Sequence, residues 1–144
     1  MDQKPPLTLR KFKTEDIAKV LRIEAEAFPK TAYSKSTFRS YAKSLPDGFV
    51  VLEVGTDVAG YIIFDTAGHI HSTAVKPLYR RRGVGTMLFK HAVTSTQRRL
   101  WLEVRSTNQA AIGFYLKMGM QAVGRIPNYY GNDDALIMVL DEET

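Results

Sequence analysis

The twelve residues Val75-Lys76-Pro77-Leu78-Tyr79-Arg80-Arg81-Arg82-Gly83-Val84-Gly85-Thr86 decide the reading of this chain. An apolar run, Ile70 to Val75, leads into them, and a run of helical character, Val84 to Val93, leads out. Between the two lie an arginine cluster and a Gly-x-Gly pair. A strand, a glycine turn and a helix start together make an anion cradle. The backbone N–H groups of a first helical turn have no partner within the helix, and the helix dipole favours negative charge there. Glycines let the backbone approach a phosphate, and arginines add counter-charge. A Walker P-loop needs four residues between its glycines and a following Lys-Ser/Thr, and neither is present. A dinucleotide fingerprint needs a third glycine where Leu88 stands.

Working outward, Leu7 to Phe12 alternates like a strand. Thr14 is positioned to cap a helix carrying Ile17, Val20, Leu21 and Phe28, stopped by Pro29. After a loop over Lys30 to Lys35, Ser34 or Ser36 caps a short second helix through Tyr41 and Leu45, ended by Pro46. Gly48 to Val54, the turn Gly55-Thr56-Asp57 and Val58 to Phe64 read as a hairpin. A turn near Ala67-Gly68 leads to a strand over His69 to Val75. The helix after Gly83 presents Val84, Met87, Leu88 and Ala92. Leu100 to Val104 is a short apolar strand. Asn108 caps a helix through Met118, with Gly119 as its stop. Gln121 to Arg125 and Ala135 to Leu140 are the last strands, joined around Gly131-Asn132-Asp133. The order β, α, α, β, β, β, α, β, α, β, β predicts a mixed α/β (α+β) fold with a largely antiparallel sheet.

The 144 residues suit a single domain, 1–144, with a sizeable core. The absence of cysteine excludes disulfides, thiolate chemistry and zinc–thiolate sites. No run reaches the roughly 18–20 apolar residues of a membrane span. Met1 to Pro6 lacks the apolar core of a signal peptide. A cytoplasmic protein is therefore expected, with no membrane association. A net charge of +5, from 20 basic and 15 acidic residues, favours an anionic partner without choosing among them.

Arg80-x-x-Gly83-x-Gly85 resembles the coenzyme-A signature of the GNAT N-acetyltransferases. The run from Leu100 to Met120, with Asn108, Ala111, Tyr115 and Gly119 at family spacing, resembles the second block of that family. More narrowly it is similar to N-terminal α-amine acetyltransferases of the RimI/Ard type. Gly68-His69-Ile70-His71-Ser72, Ala74-Val75, Phe28-Pro29, Tyr33, Asn128-Tyr129-Tyr130 and Asp134 to Met138 resemble the same subgroup. The likeness runs from about Leu7 to Leu140. It implies the GNAT fold, with about seven strands and about four flanking helices.

The resemblance implies acetyl transfer from acetyl-CoA to a protein or peptide N-terminus, with no metal. Arg80, Arg81, Gly83, Val84, Gly85 and Thr86 would wrap the pyrophosphate. Ala74 and Val75 would pair with the pantetheine arm, and Asn108 and Tyr115 would touch it. An α-amine, with a pKa near ~8, is far easier to deprotonate than a lysine near ~10.4. Glu103 is the leading base, because an apolar strand beside Trp101 would desolvate its carboxylate. His69 and His71 point to one face of their strand, and His69 lies where relatives carry a second water-positioning residue. Tyr115 would protonate or hydrogen-bond the leaving thiolate, and a strand N–H at Ala74 or Val75 would polarise the carbonyl. Phe28, Pro29 and Tyr33 on one side and Tyr129 and Tyr130 on the other would wall a peptide slot. The chain departs from Ard-type relatives at Lys30, which stands where a carboxylate is common and makes an acidic or small first residue in the substrate at least as plausible as a basic one. A ribosome or an auxiliary subunit is a conceivable partner, and specific nucleic-acid binding is not expected. The alternatives are a small-amine acetyltransferase (polyamine, amino acid or aminoglycoside) and a non-catalytic RNA-binding module using Lys76 and Arg80 to Arg82.

Overall fold

The computed structural model describes residues 5–141. Met1 to Lys4, part of the stretch read above for a signal peptide, lie outside the described residues. Among the described residues there are seven strands and four α-helices, as expected. They are β1 (Leu7–Lys11), α1 (Ile17–Ala27), α2 (Lys35–Ser44), β2 (Phe49–Val54), β3 (Asp57–Phe64), β4 (Ile70–Val75), α3 (Val84–Ser95), β5 (Arg99–Arg105), α4 (Gln109–Lys117), β6 (Gln121–Ile126) and β7 (Ala135–Asp141). Two short 3-10 turns, Thr14–Asp16 and Pro77–Tyr79, precede α1 and the arginine loop. The strands form a four-stranded sheet in the order β1-β2-β3-β4 and a three-stranded sheet in the order β5-β7-β6. No described helix is long and apolar enough to cross a membrane.

The chain divides into two compact units. The first comprises residues up to Asp65 together with His71–His91, and the second comprises Thr66–Ile70 together with Ala92 onward. In the first unit β1, β2 and β3 pair antiparallel. The β2–β3 hairpin turns through Gly55, whose φ of 62° lies in the left-handed region where glycine carries no Cβ penalty. β2 and β3 are buried on both faces, hence their unbroken apolar sequence. One face is covered by Val20 and Ile23 of α1 and Phe38 of α2, packed with Phe49, Val51, Tyr61 and Ile63. On the other, α3 approaches β3 at Gly60. A Cβ there would lie 3.1 Å from Val84 Cγ1 and 3.2 Å from Leu88 Cδ1. Val84, Leu88, Phe89 and Ala92 are buried along α3, whereas Met87, expected on the apolar face, is 37% exposed. Phe89 takes its place, because the buried stripe follows i, i+4, i+5 and i+8 from Val84.

The second unit is built on β7, which pairs antiparallel with β5 on one side and β6 on the other. Leu100, Leu102 and Val104 are buried, leaving Trp101, Glu103 and Arg105 together on the opposite, half-exposed face of β5. Asn108 caps α4 by accepting from Ala111 N–H at 3.1 Å, and Gly119 follows the helix at φ 99°.

One local alternative is resolved and one reading changes. Ser34, not Ser36, caps α2, accepting from Thr37 N–H at 3.3 Å. Thr14 opens a 3-10 turn rather than capping α1; Asp16 stands at the N-cap position of α1 without a side-chain cap bond, and its carboxylate instead accepts from Lys13 N–H at 2.8 Å. Asp16 is held by both Arg10 guanidinium nitrogens at 2.8 Å, and Arg10 reaches Glu53 at 3.1 Å. A carboxylate brings two acceptor oxygens and a negative charge to meet a guanidinium bidentately, whereas a threonine hydroxyl is a single neutral oxygen. Burial alone would raise Asp16, but Arg10 and the Lys13 N–H outweigh it and hold the carboxyl below its ordinary range.

That carboxyl is more acidic folded than unfolded, so its contribution is complete above the unfolded value near ~4 and is lost as pH falls through the folded one. Asp16→Asn is expected to cost about 1–3 kcal/mol at neutral pH, with the gap to wild type closing as pH drops below ~4. Thermal unfolding of both proteins from pH 7 to pH 3 checks this; a gap independent of pH would contradict it.

Candidate active site

In the first unit, the quoted motif forms the predicted loop and helix start. Arg80, Arg81, Arg82 and Gly83 are exposed, and α3 begins at Val84. Its first ladder bond runs from Met87 N–H to Gly83 O at 3.0 Å, so the N–H groups of Val84, Gly85 and Thr86 stand ahead of the ladder. Gly83 has φ 80° and a Cβ there would meet nothing within 4 Å. The glycine is thus required by conformation, and it leaves open space at the helix N-terminus. Arg81 also adopts a positive φ, 65°. β4, which carries Ala74 and Val75, is an edge strand of its sheet. The pieces fit an extended, phosphorylated ligand: open helix-start amides, arginines beside them, and an edge strand with backbone groups to offer.

Lys76 is less available than its neighbours. Its ammonium pairs with Asp57 at 2.8 Å, and the Tyr79 hydroxyl donates to the same carboxylate at 3.1 Å. Arg82 lies 5.8 Å from the Tyr79 ring centroid.

The first loop is anchored by a residue that the sequence reading did not single out. Glu24 of α1 is 1% exposed. Its carboxylate accepts from the Tyr61 hydroxyl, from Ser72 Oγ at 3.2 Å and from Tyr33 N–H at 2.9 Å. Burial and the adjacent carboxylate push the Tyr61 phenol well above its ordinary range, so it remains a donor. The Tyr33 hydroxyl donates to His71 O at 3.0 Å, and its ring packs edge-on to Phe38. Phe28 is partly buried against the core, while Pro29 and Lys30 are exposed. The only sequence signal for Glu24 was a carboxylate at a position facing the same side as Val20. His71 is itself held, with Nε2 donating to Asp65 at 3.0 Å and Nδ1 3.3 Å from the Tyr41 hydroxyl.

In the second unit, His69 and Glu103 come together. Trp101 N–H donates to Gly68 O at 2.9 Å, and His69 forms an isolated parallel bridge with Trp101. The His69 ring lies flat on the Trp101 indole, with centroids 5.0 Å apart and planes 7° apart. That orientation points Nε2 at Glu103 Oε2, which accepts from it at 2.8 Å. The histidine and carboxylate side chains are 22% and 21% exposed, so the pair is reachable by water yet largely sheltered. Tyr115 of α4 is 8% exposed. Burial, reinforced by Tyr130, holds its phenol well above the ordinary range. Tyr130 is pushed up to about 12 by burial, with smaller contributions from Tyr129 and Glu103 that Arg105 partly offsets. Tyr129 is half exposed and stands edge-on to Tyr130 at 4.9 Å.

A sheltered carboxylate–histidine pair can accept a proton, and a buried phenol held in its protonated form can donate one. The model of the acetyltransferase (GNAT) family matches residues 17–120. The chain belongs to this family. Among relatives of this acetyltransferase, the ribosomal protein bS18-alanine N-acetyltransferase of Escherichia coli is 34% identical over 146 residues, covering 92% of this chain and 96% of the relative. The N-alpha-acetyltransferase of Sulfurisphaera tokodaii is 29% identical over 151 residues, covering 90% of each. The solved structure of Ard1 from Thermoplasma volcanium superposes with a TM-score of 0.86 at 30% identity, covering 95% of this chain and 99% of that one. The RimI/Ard resemblance read from the sequence and the GNAT fold it implied are both borne out.

The acetyltransferase holds His69 in place through Gly68, whose φ is 98° and whose Cβ would lie 2.1 Å from Arg99 O. Gly68→Ala is therefore expected to destabilise the protein by about 1–3 kcal/mol. It should also disturb the stack of His69 on Trp101. Thermal unfolding and tryptophan fluorescence check it, and a variant with both unchanged would contradict the constraint.

Proposed function

We propose that this acetyltransferase moves the acetyl group of acetyl-CoA to the N-terminal α-amine of proteins or peptides, by direct attack in a ternary complex, with residues 1–144 acting as one domain. The observation that carries the reading is the His69–Glu103 pair, sheltered but open to water, with a buried phenol at Tyr115. In this reading Glu103 is the base, working through one ordered water that His69 helps to position. The neutral amine attacks the thioester carbonyl, forming the C–N bond. A β4 backbone N–H at Ala74 or Val75 stabilises the oxyanion. The C–S bond then breaks and Tyr115 protonates the departing sulfur. One proton leaves the nitrogen and one reaches the sulfur, so amine and thioester become amide and thiol. Exchange with solvent resets both side chains.

Arg80, Arg81, Gly83, Val84, Gly85 and Thr86 hold the pyrophosphate, while Ala74, Val75, Asn108 and Tyr115 line the pantetheine arm. The open amides of α3 and the edge position of β4 support this assignment. Asn108 would act there through its amide while its oxygen caps α4. Phe28, Pro29, Tyr33, Tyr129 and Tyr130 form the substrate walls. The reaction as written needs no metal, membrane or nucleic acid, and it is assigned to the cytoplasm. The E. coli relative named for ribosomal protein bS18 makes ribosomal-protein N-termini the first substrates to try, with the ribosome or an auxiliary subunit as a further partner.

Incubation with acetyl-CoA, unblocked peptides differing in their first two residues, and spermidine, followed by mass spectrometry, tests the reading. Acetyl is expected on the α-amine of a subset of peptides, with Glu103→Gln and Tyr115→Phe each lowering kcat by about 10²-fold or more. Transfer to spermidine alone would replace the peptide substrate by a small amine.

Lys30, exposed on the first loop, favours an acidic or small first residue. Lys30→Glu is expected to shift preference away from an acidic first residue by about three- to tenfold in kcat/KM. An unchanged preference across the peptide panel would remove Lys30 from specificity.

A further inference from the structure

The face of β5 that carries Trp101 and Glu103 continues to Arg105, and Arg105 is not used by the chemistry above. Its guanidinium lies over the Tyr130 ring, 4.4 Å from the centroid. It also lies 3.7 Å from the Asp133 carboxylate, with both side chains mostly buried (23% and 11% exposed). Asp133 is a small hub. Its carboxylate accepts from Ser106 Oγ at 2.7 Å and Thr107 Oγ1 at 2.5 Å, and its carbonyl accepts from Tyr130 N–H at 3.1 Å. These hydroxyl donors, with Arg105 adding a smaller attraction, hold the Asp133 carboxyl below its ordinary range. One residue on, Asp134 O accepts from Ser106 N–H at 2.9 Å, and its carboxylate accepts from Asn128 N–H and Arg125. The hairpin between β6 and β7 is therefore fastened to the end of β5 at both its backbone and its side chains.

We propose that Arg105 and Asp133 form a clamp that fixes the Tyr130 ring beside Glu103, making them positioning residues for the peptide rather than structural ornaments of the hairpin. The inference rests on the peptide reading above. A ring pinned by a guanidinium on its face and by a backbone bond at its own N–H has lost most of its freedom before substrate arrives. Pre-organisation of this kind lowers the ordering cost of binding. Glu103 and Arg105 share one face of β5, so the ring held by Arg105 is fixed on the strand that carries the proposed base. Release of the clamp should weaken peptide capture, while acetyl-CoA, assigned to the α3 loop and β4, is left alone. The charge on Arg105 matters less than its planar stack, so a lysine is a poor replacement.

The test is a double-mutant cycle read by steady-state kinetics on the peptide that wild type acetylates best. Arg105→Gln is expected to raise the peptide KM about five- to tenfold, with the acetyl-CoA KM unchanged. In a Tyr130→Leu background the same substitution should change the peptide KM by less than about twofold, because the ring through which Arg105 acts is gone. Asp133→Asn, and the milder Ser106→Ala/Thr107→Val pair, should reproduce the peptide KM effect, with circular dichroism confirming the fold. Arg105→Gln effects that are equal in the two backgrounds, or that fall on kcat or on acetyl-CoA, would overturn the clamp. Wild-type protein that acetylates only spermidine would fail the peptide reading and the clamp together, whereas peptide turnover indifferent to Arg105 would fail the clamp alone.

Discussion

The hydrogen bond from Trp101 N–H to Gly68 O sets the geometry of the candidate site. It holds the residues before β4 in register with β5, and that register lays His69 flat on the Trp101 ring. A flat stack fixes the imidazole plane, and a fixed plane leaves one direction for Nε2, toward Glu103. The positive φ of Gly68 and the 2.1 Å clearance at its missing Cβ explain why this one position must be glycine. The pairing of a histidine and a carboxylate 34 residues apart is thus decided by a backbone contact, with the side chains following.

The first unit uses a different device to fix its candidate substrate loop. Glu24 is buried without a cation among the partners the structure gives it, and is compensated by two hydroxyls and a backbone N–H. A buried carboxylate is tolerable only when its lone pairs are filled in this way. One of the donors is the backbone of Tyr33, so the cost of burying Glu24 and the position of the first loop are coupled. Tyr33 is tied a second time through its hydroxyl to β4. Its ring is consequently less a free wall than part of the packing that supports one.

Tyrosine carries much of the polar work in both units. Tyr61, Tyr115 and Tyr130 are all held above the ordinary phenol range, in each case first by burial. At neutral pH each is a neutral donor with an apolar body. The basic surface has a more limited meaning than the net charge suggested. Lys76 is neutralised by Asp57, whereas Arg80 and Arg81 stand exposed beside the open N-terminus of α3.

What the sequence determined by itself is whatever depends on neighbours in the chain. The order of all eleven main elements, the Gly55 turn, the Asn108 cap, the Gly119 stop and the glycine-rich start of α3 follow from local conformational preference, and all are found in the structure. The family was legible for the same reason: its signature is a loop conformation written in contiguous residues. What only the tertiary structure decided is whatever needs two distant segments to meet. Ser34 prevailed over Ser36 as the cap of α2, and the Asp16 carboxylate ahead of α1 was claimed by a distant arginine. Nothing in the chain around Glu24 distinguishes it until Tyr61 and Ser72 are brought to it, and Asp133 read as a turn residue until Arg105, Ser106 and Thr107 closed on it. A carboxylate's role is set by the donors around it, and those donors are chosen by strand register and helix packing, which no short stretch of sequence encodes.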